Sequence, residues 1–464
     1  MVKLLSTHFP TRTIFLGLTE AFLVGGAFIL ATVMRLGTTE ATIMLEYDRG
    51  LLKIAVVLIS CLFSMYYFDL YDSALLANGR EAIARLIQVL GTICVLLGLL
   101  YYLYPPLELG RGIFVVGFGL MTALLFGWRK LFLTLNLLPQ LAERTLILGN
   151  GLLADSLRSQ FGSRPELGVR IVRLVTGIET DKHEQLDVTS VALEEELANA
   201  VRSLRVNRIV VAMGDRRGKL PVRTLLTLKS NGVLVQDGAD VYEAITGKVP
   251  IESLRLGWLL FSPGFRVSRF LLFYKRSAAI FASAVGLVLS APFLPLIALL
   301  IKLTSPGPVL YRQKRVGQYG ELFYCYKFRT MRRDAEADSG ATWAGDEDPR
   351  ITPVGRFLRR SRIDEIPQLW NVFRGDMNLV GPRPERPEFV EWLEREIQHY
   401  DLRHTVRPGI TGWAQIRYRY GSSVQDAEEK LRYDLFYVKN MSPGLDLLIF
   451  LETIKIILLG RGAK

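Results

Sequence analysis

Four long apolar stretches fill the first third of the chain and decide most of what it can become. Thr13–Leu36 is interrupted only by Glu20 before Arg35 near its end, Leu51–Phe68 holds only Lys53, and Leu86–Tyr104 and Gly112–Trp128 carry no charge. Each is 17–24 residues long, enough as a helix to cross the ~30 Å hydrocarbon layer of a bilayer at ~1.5 Å per residue. Half of the 464 residues are hydrophobic and 22% are charged, with a formal net charge of 57 − 45 = +12. A disordered chain is excluded by that apolar content. Three cysteines (Cys61, Cys94, Cys325) and four histidines also argue against a disulfide scaffold or a Cys/His zinc cluster. Lys3, Arg12, Arg80 and Arg85 flank one side of the spans, joined by Arg129, Lys130 and Arg144, against Arg35, Arg49 and Arg111 on the other. This bias places both ends of a four-helix transmembrane region, residues 1–140, on the cytoplasmic side.

From Arg144 onward the pattern becomes that of alternating strands and helices. Thr145–Leu148 is β-prone and leads into Gly149-Asn150-Gly151-Leu-Leu-Ala154; Val169–Val175 and Arg208–Met213 read as further strands, and Leu193–Leu204 as a helix between them. Residues 141–255 are therefore expected to form a Rossmann-like α/β module with a parallel sheet and a G-x-G-x-x-A turn. Such a turn lets a pyrophosphate approach a helix N-terminus. The expected ribose-binding acid is out of place, because the second strand runs into Thr176-Gly177 and Glu179 is displaced.

A linker, residues 256–274, separates this module from a catalytic domain, residues 275–464. The domain opens with Lys275-Arg276 and an uncharged run, Ser277–Ile301, that length alone would make a fifth span. Pro292 and Pro295 fall within it. Each removes a backbone donor and clashes with the preceding turn, and Ala278–Ala291 is too short to cross. The run is expected to enter the membrane, break at Pro292 and leave on the same face as a re-entrant helix. Ser290 is the candidate partner for freed backbone groups. Beyond it lies a polar, arginine-dense segment with an acidic loop at Asp334–Arg350 and a terminal apolar helix, Asp446–Leu459, with Glu452 and Lys455 on one face.

The chemistry concentrates in this last segment. Asp364-Glu365 stands among Arg359, Arg360 and Arg362 and just before Pro367, which suits the first turn of a helix. Helix N–H groups would then keep Asp364 ionised. Taken alone, the pair reads as a helix-capping acid with solvated arginines, and the surrounding motifs are what shift the balance. Adjacent carboxylates ringed by arginine suit phosphoryl transfer, one attacking phosphorus and the other holding a divalent cation or relaying a proton. Lys327 and Arg329 follow an alternating strand, Leu322–Tyr326, and should share a face. Arg383 lies between Pro382 and Pro384, a rigid loop that would pre-orient its planar fork for phosphate. Arg407–Arg419 adds turns, an aromatic and more cations. Basic residues beside aromatics also occur in nucleic-acid binders, but attachment to a re-entrant helix favours a phosphate held in the lipid bilayer, and no nucleic acid is expected.

In Ser305-Pro-Gly-Pro-Val-Leu-Tyr-Arg312-Gln-Lys-Arg315-Val-Gly317, Lys327-Phe-Arg329-Thr-Met, Arg362-Ile-Asp364-Glu365-Ile-Pro-Gln-Leu-Trp-Asn, Gly381-Pro-Arg383-Pro-Glu385 and Pro408-Gly-Ile-Thr-Gly-Trp-Ala-Gln415, the chain resembles the bacterial sugar transferases. These are the polyprenyl-phosphate hexose-1-phosphate transferases that initiate polysaccharide assembly. Arg386-Pro-Glu-Phe389 and Arg417-Tyr-Arg419-Tyr-Gly421 resemble the subgroup linked to exosortase-associated exopolysaccharide clusters. The resemblance implies an enzyme of the bacterial inner membrane with its catalytic domain on the cytoplasmic face. It implies a UDP-sugar donor, undecaprenyl phosphate as acceptor, Mg²⁺ as cofactor, and an aspartyl intermediate on Asp364 with release of UMP. Glu365, possible partner Asp364 included, would hold the metal, and Lys327, Arg329, Arg359, Arg383 and Arg419 would bind phosphates or the nucleotide; a homo-oligomer is left open. Two departures from the family pattern fall at Ala279 and Ala291, where it often has Asp and Ser. A membrane-bound UDP-sugar dehydratase or epimerase would need Tyr-x-x-x-Lys, which the sequence lacks. A non-catalytic membrane sensor would leave the Asp364-Glu365 constellation unexplained.

Overall fold

The computed structural model describes residues 2–4, 7–9, 11–71, 79–136, 142–164, 167–175, 188–214, 220–251, 265, 268–332, 335, 348–418, 421 and 423–458. Glu179, Arg419, most of the linker and most of the acidic loop lie outside the described residues. The chain forms two compact units, the first running essentially from His8 to Val241 and the second from Tyr242 to Lys464.

In the first unit, α1 (Thr11–Leu36), α2 (Thr38–Tyr47), α3 (Gly50–Tyr67), α4 (Gly79–Leu103) and α5 (Arg111–Asn136) follow directly from apolar composition. α1, α3, α4 and α5 share one core that includes Phe28, Val57, Ile93 and Met121. The outward faces of α1, α3, α4 and α5 stay apolar, with Phe22, Ile59, Val95 and Val115 exposed, the pattern of helices solvated by lipid. Among the described residues, five helices are long and apolar enough to cross a membrane. Within the bundle, Glu20 and Arg129 are both buried and paired, with Arg129 Nε 2.6 Å from Glu20 Oε1.

The same unit contains an open sheet of four parallel strands, β1 (Glu143–Leu148), β2 (Val169–Val175), β3 (Arg208–Val211) and β4 (Leu234–Asp237), in the order β2-β1-β3-β4. Helices α6 (Leu152–Ser163), α7 (Val188–Ser203) and α8 (Val222–Ser230) connect them, and α9 (Gly238–Thr246) follows β4. The sequence reading did not anticipate β4. Buried Leu146, Leu148, Ile209 and Val211 alternate with neighbours on the opposite face, and Leu197 and Leu225 close the core from the helices.

The second unit begins with Tyr242–Ile251, a stretch the sequence reading assigns to the preceding module. It continues in α10 (Arg269–Ser290), a 3₁₀ turn at Ala291–Phe293 and α11 (Leu294–Thr304). The turn forms where Pro295 has no N–H for the Ala291 carbonyl, and Leu294 N donates to that oxygen instead. Ser290 Oγ donates to the Leu287 carbonyl at 3.1 Å. Strands β5 (Leu310–Val316) and β6 (Leu322–Phe328) form an antiparallel hairpin in which Tyr311 faces Lys327. After it come α12 (Pro353–Arg360), α13 (Gln368–Arg374), β7 (Asn378–Val380), α14 (Pro387–Glu396), β8 (Gly409–Thr411), α15 (Trp413–Arg417), α16 (Val424–Asn440) and α17 (Pro443–Leu458). β7 and β8 pair in parallel. Ser423 and Asp426 form a capping box that starts α16. The core gathers Val380, Leu393, Trp413, Leu431, Phe436 and Tyr437.

Candidate active site

Asp364 and Glu365 sit on a 3₁₀ turn, Ile363–Glu365, entered through Arg362 in the left-handed region at φ 59°. Pro367 caps α13 rather than occupying its first turn, so the carboxylates stand ahead of that helix. Both residues are buried, at 7% and 8% exposure. The helix N-terminus was expected to keep Asp364 ionised, but burial and the charge of Glu365 push its carboxyl up, against the pull of Lys327, Arg383 and Arg359. Burial opposes ionisation of Glu365 as well; there the charges of Lys327, Arg383 and Arg362 prevail and hold its carboxyl far below the usual carboxylate range.

The contacts explain the difference. Lys327 Nζ and Arg383 Nη2 both donate to Glu365 Oε1, at 3.0 and 2.8 Å, and Arg362 Nη1 stands 3.7 Å from Oε2. Asp364 Oδ1 is buried with no hydrogen-bond partner, as is Gln368 Nε2 four residues on. Buried polar atoms are nearly always satisfied, so these two are free to accept or donate a further hydrogen bond. Burial pushes the Cys325 thiol up despite Lys327, Arg315 and Arg383 nearby, which disfavours its thiolate form.

The structure brings Lys327, Arg383, Asp364 and Glu365 together. Arg359 donates from Nε to Thr330 Oγ1 at 2.9 Å, and its charge reaches Asp364. Arg329 does not share the environment of Lys327: it is buried and donates to the Ser305 and Pro306 carbonyls at 2.6 and 3.1 Å. The reason is that β6 runs on through Phe328 and ends there, so Arg329 leaves the strand and ties down the chain after α11. Arg419 lies outside the described residues. Sequence reasoning missed the side chains that hold the site. Asn371 is fully buried, donates to the Tyr324 carbonyl at 2.7 Å and accepts from Tyr326 N at 3.0 Å, fixing the Lys327 strand against α13. Arg362, by contrast, stands in the arginine ring that the sequence shows around the dyad; Asn371 gives no such signal.

Among the described residues no group of three or more His, Cys, Asp or Glu side chains could hold a metal. The unpartnered Asp364 Oδ1 and the Glu365 Oε2 nonetheless offer adjacent hard oxygen donors. That set fits Mg²⁺, which is commonly held by one or two carboxylates and completed by substrate phosphates and water.

Residues 270–460 match the family model described as bacterial sugar transferase. A UDP-N-acetylgalactosamine-undecaprenyl-phosphate N-acetylgalactosaminephosphotransferase of Aeromonas hydrophila is 45% identical over 48% of this chain and 52% of its own. An undecaprenyl-phosphate glucose phosphotransferase of Komagataeibacter xylinus is 35% identical over 70% of this chain and 60% of its own. The chain thus spans about half the length of these curated relatives. The exopolysaccharide production protein PSS of Rhizobium leguminosarum bv. phaseoli is 43% identical over 39% of this chain and 92% of its own length. Near-complete coverage of that last relative at this identity, with a family-model match that contains the buried carboxylates and their cations, shows that the chain belongs to the bacterial sugar transferase family.

Proposed function

We propose that the chain transfers a hexose-1-phosphate from a UDP-sugar to undecaprenyl phosphate and so starts an exopolysaccharide. The observation that carries this reading is the buried Asp364 carboxylate oxygen without a hydrogen-bond partner, beside a Glu365 already charge-paired by Lys327 and Arg383. Asp364 is the nucleophile: its oxygen forms a bond to the β-phosphorus, the bond to the bridging oxygen breaks, and UMP leaves with that electron pair. An oxygen of undecaprenyl phosphate then attacks the phosphoryl-aspartate and expels the Asp364 carboxylate. Desolvation makes the carboxylate more reactive, and the cations stabilise charge that spreads over the phosphoryl oxygens. Glu365 keeps Lys327 and Arg383 in position for those oxygens. Mg²⁺ on Asp364 and Glu365 would add neutralising charge on the diphosphate when bound.

The names of the relatives support the acceptor, and that of the Rhizobium protein supports the exopolysaccharide role, in which the exosortase-associated subgroup is our placement from the local motifs. Packing within the second unit supports the membrane arrangement proposed here. Ala279 of α10 packs with Val372 and Met377, and a Cβ at Gly286 would meet Leu369 at 2.8 Å. On the other arm Ile297 and Ile301 pack with Phe328 and Leu358. Both arms of the broken helix thus rest on one globular body, which supports a re-entrant path that leaves the active site on the cytoplasmic face of the inner membrane, where UDP-sugars are made.

The test is UMP release by the purified full chain from a panel of UDP-sugars. With undecaprenyl phosphate, turnover is expected for at least one sugar. Without acceptor, a single burst of about one UMP per chain is expected. Absence of both with every sugar would defeat the reading.

A further inference from the structure

The loop that carries Arg383 is held by its carbonyl oxygens. From Val380 to Glu385, five of the six backbone oxygens accept hydrogen bonds from parts of the chain distant in sequence. Tyr437 Oη donates to Val380 O at 3.1 Å, Gly409 N to Pro382 O at 2.9 Å, Arg403 Nη2 to Arg383 O at 2.9 Å, Arg315 Nη1 to Pro384 O at 3.0 Å and Val316 N to Glu385 O at 3.0 Å. The backbone of β8 comes so close that a Cβ on Gly409 would lie 2.1 Å from Gly381 N, and one on Gly412 would lie 2.2 Å from Gly381 O. Only glycine permits that approach.

Two of these donors are guanidinium groups that sequence and family resemblance leave without a role. Arg403 is the more deeply placed, at 6% exposure, with Asp434, at 1%, as its counter-ion 2.9 Å away and Tyr400 Oη accepting from Nη1 at 2.5 Å. A buried cation of this kind is costly unless its geometry is fixed on every side. Here Nη1 donates to the phenol and Nη2 to the carbonyl of Arg383 itself, with the Asp434 carboxylate beside them as counter-ion, while Nε makes no hydrogen bond.

We infer that Arg403, anchored by Asp434, is a positioning residue: it fixes the backbone at Arg383 so that this side chain meets the donor phosphates without further ordering. The inference rests on the reading of Arg383 as a phosphate contact. Displacement of a substrate-positioning group by about 1 Å costs up to 10²-fold in rate, and a residue acting only through Arg383 has no effect once Arg383 is gone.

The test is a double-mutant cycle on the full chain. Arg403→Lys keeps a charge for Asp434 but loses the fork that donates to both the phenol and the carbonyl. It is expected to lower kcat/KM for the UDP-sugar about tenfold in the wild-type background and by less than about twofold in an Arg383→Ala background. An equal loss in both backgrounds would overturn the inference, because it would show a general structural defect. If Arg403→Lys does not fold, the neutral pair Arg403→Gln with Asp434→Asn takes its place in the same cycle. A second arm measures amide exchange in the peptide spanning residues 378–390, expected to speed up in either variant; unchanged exchange would equally overturn the inference. A wild-type chain releasing no UMP would defeat the functional reading alone, and the exchange arm would still decide whether Arg403 holds the loop.

Discussion

Asp364 and Glu365 are chemical neighbours with opposite acid–base behaviour, and the opposition has consequences for stability. The folded chain raises the Asp364 carboxyl above its ordinary value through burial and the charge of Glu365. A raised carboxyl stabilises the fold below its unfolded pKa, and that contribution is lost as pH rises through the folded value. At neutral pH the ionised, buried Asp364 is therefore a burden. Asp364→Asn should abolish covalent labelling and lower turnover on the order of 10³-fold or more, yet melt at a higher temperature than wild type at neutral pH, with the gain fading in acid. Glu365 behaves in reverse. Its lowered carboxyl gives stability above the unfolded pKa that is lost as pH falls through the folded value. Glu365→Gln should cost about 2–3 kcal/mol at neutral pH, as expected for lost charged hydrogen bonds, and the deficit should shrink in acid; thermal melts across pH check both signs. The dyad, Lys327 and Arg383 were legible in the sequence because each sits in a short pattern with its own chemical reason. Asn371, Arg403 and Asp434 were not, because Asn371 and Arg403 act on backbone groups 20 to 47 residues away in the chain and Asp434 acts on the Arg403 side chain, and nothing local marks such a partner.

At the scale of elements, the helices of the first unit could be read from composition alone, since a long uncharged run has few alternatives. Short elements could not. Leu234–Asp237 is only four residues long, and Val249–Ile251 has no periodicity to announce that it is core. Yet Tyr242–Ile251 is a strap across the second unit. Glu243 accepts from Lys439 Nζ at 2.6 Å and Asn440 Nδ2 at 2.7 Å, Trp413 Nε1 donates to the Gly247 carbonyl at 2.9 Å, and Lys248 pairs with Glu429. Val249 and Ile251 are buried in the core with Trp413 and Leu431. The residues assigned to chemistry all follow Phe265, so a fragment starting there holds the dyad but lacks the strap. It should lose roughly 3–6 kcal/mol from those two aliphatic side chains alone, against a fragment starting at Tyr242. Denaturant melts of the two, extracted in the same detergent, check this; equal midpoints would mean that the strap contributes nothing.

For the whole molecule the broken helix governs which compartment each part can reach. Tyr274 and Leu303 lie on the two arms and are exposed. In a chain without Cys61, Cys94 and Cys325, single Tyr274→Cys and Leu303→Cys variants should both react with impermeant reagent only from the cytoplasmic side. Replacing Pro292 and Pro295 with leucine restores the two missing backbone donors and should move position 303 outward in a fraction of molecules, with turnover falling in the same proportion. Labelling of position 303 from outside in the otherwise native chain would overturn the re-entrant path. The first unit sets a different constraint, one of timing. Glu20 and Arg129 are separated by more than a hundred residues and meet only when α1 lies against α5. Before α5 is synthesised, α1 must wait with an acid that lacks its counter-ion in a helix otherwise bound for lipid, which is unfavourable by a few kcal/mol. The first helix of this chain is thus least at home in the bilayer while it is newest, and the last helix of the bundle, arriving with the matching cation, is what makes its residence permanent.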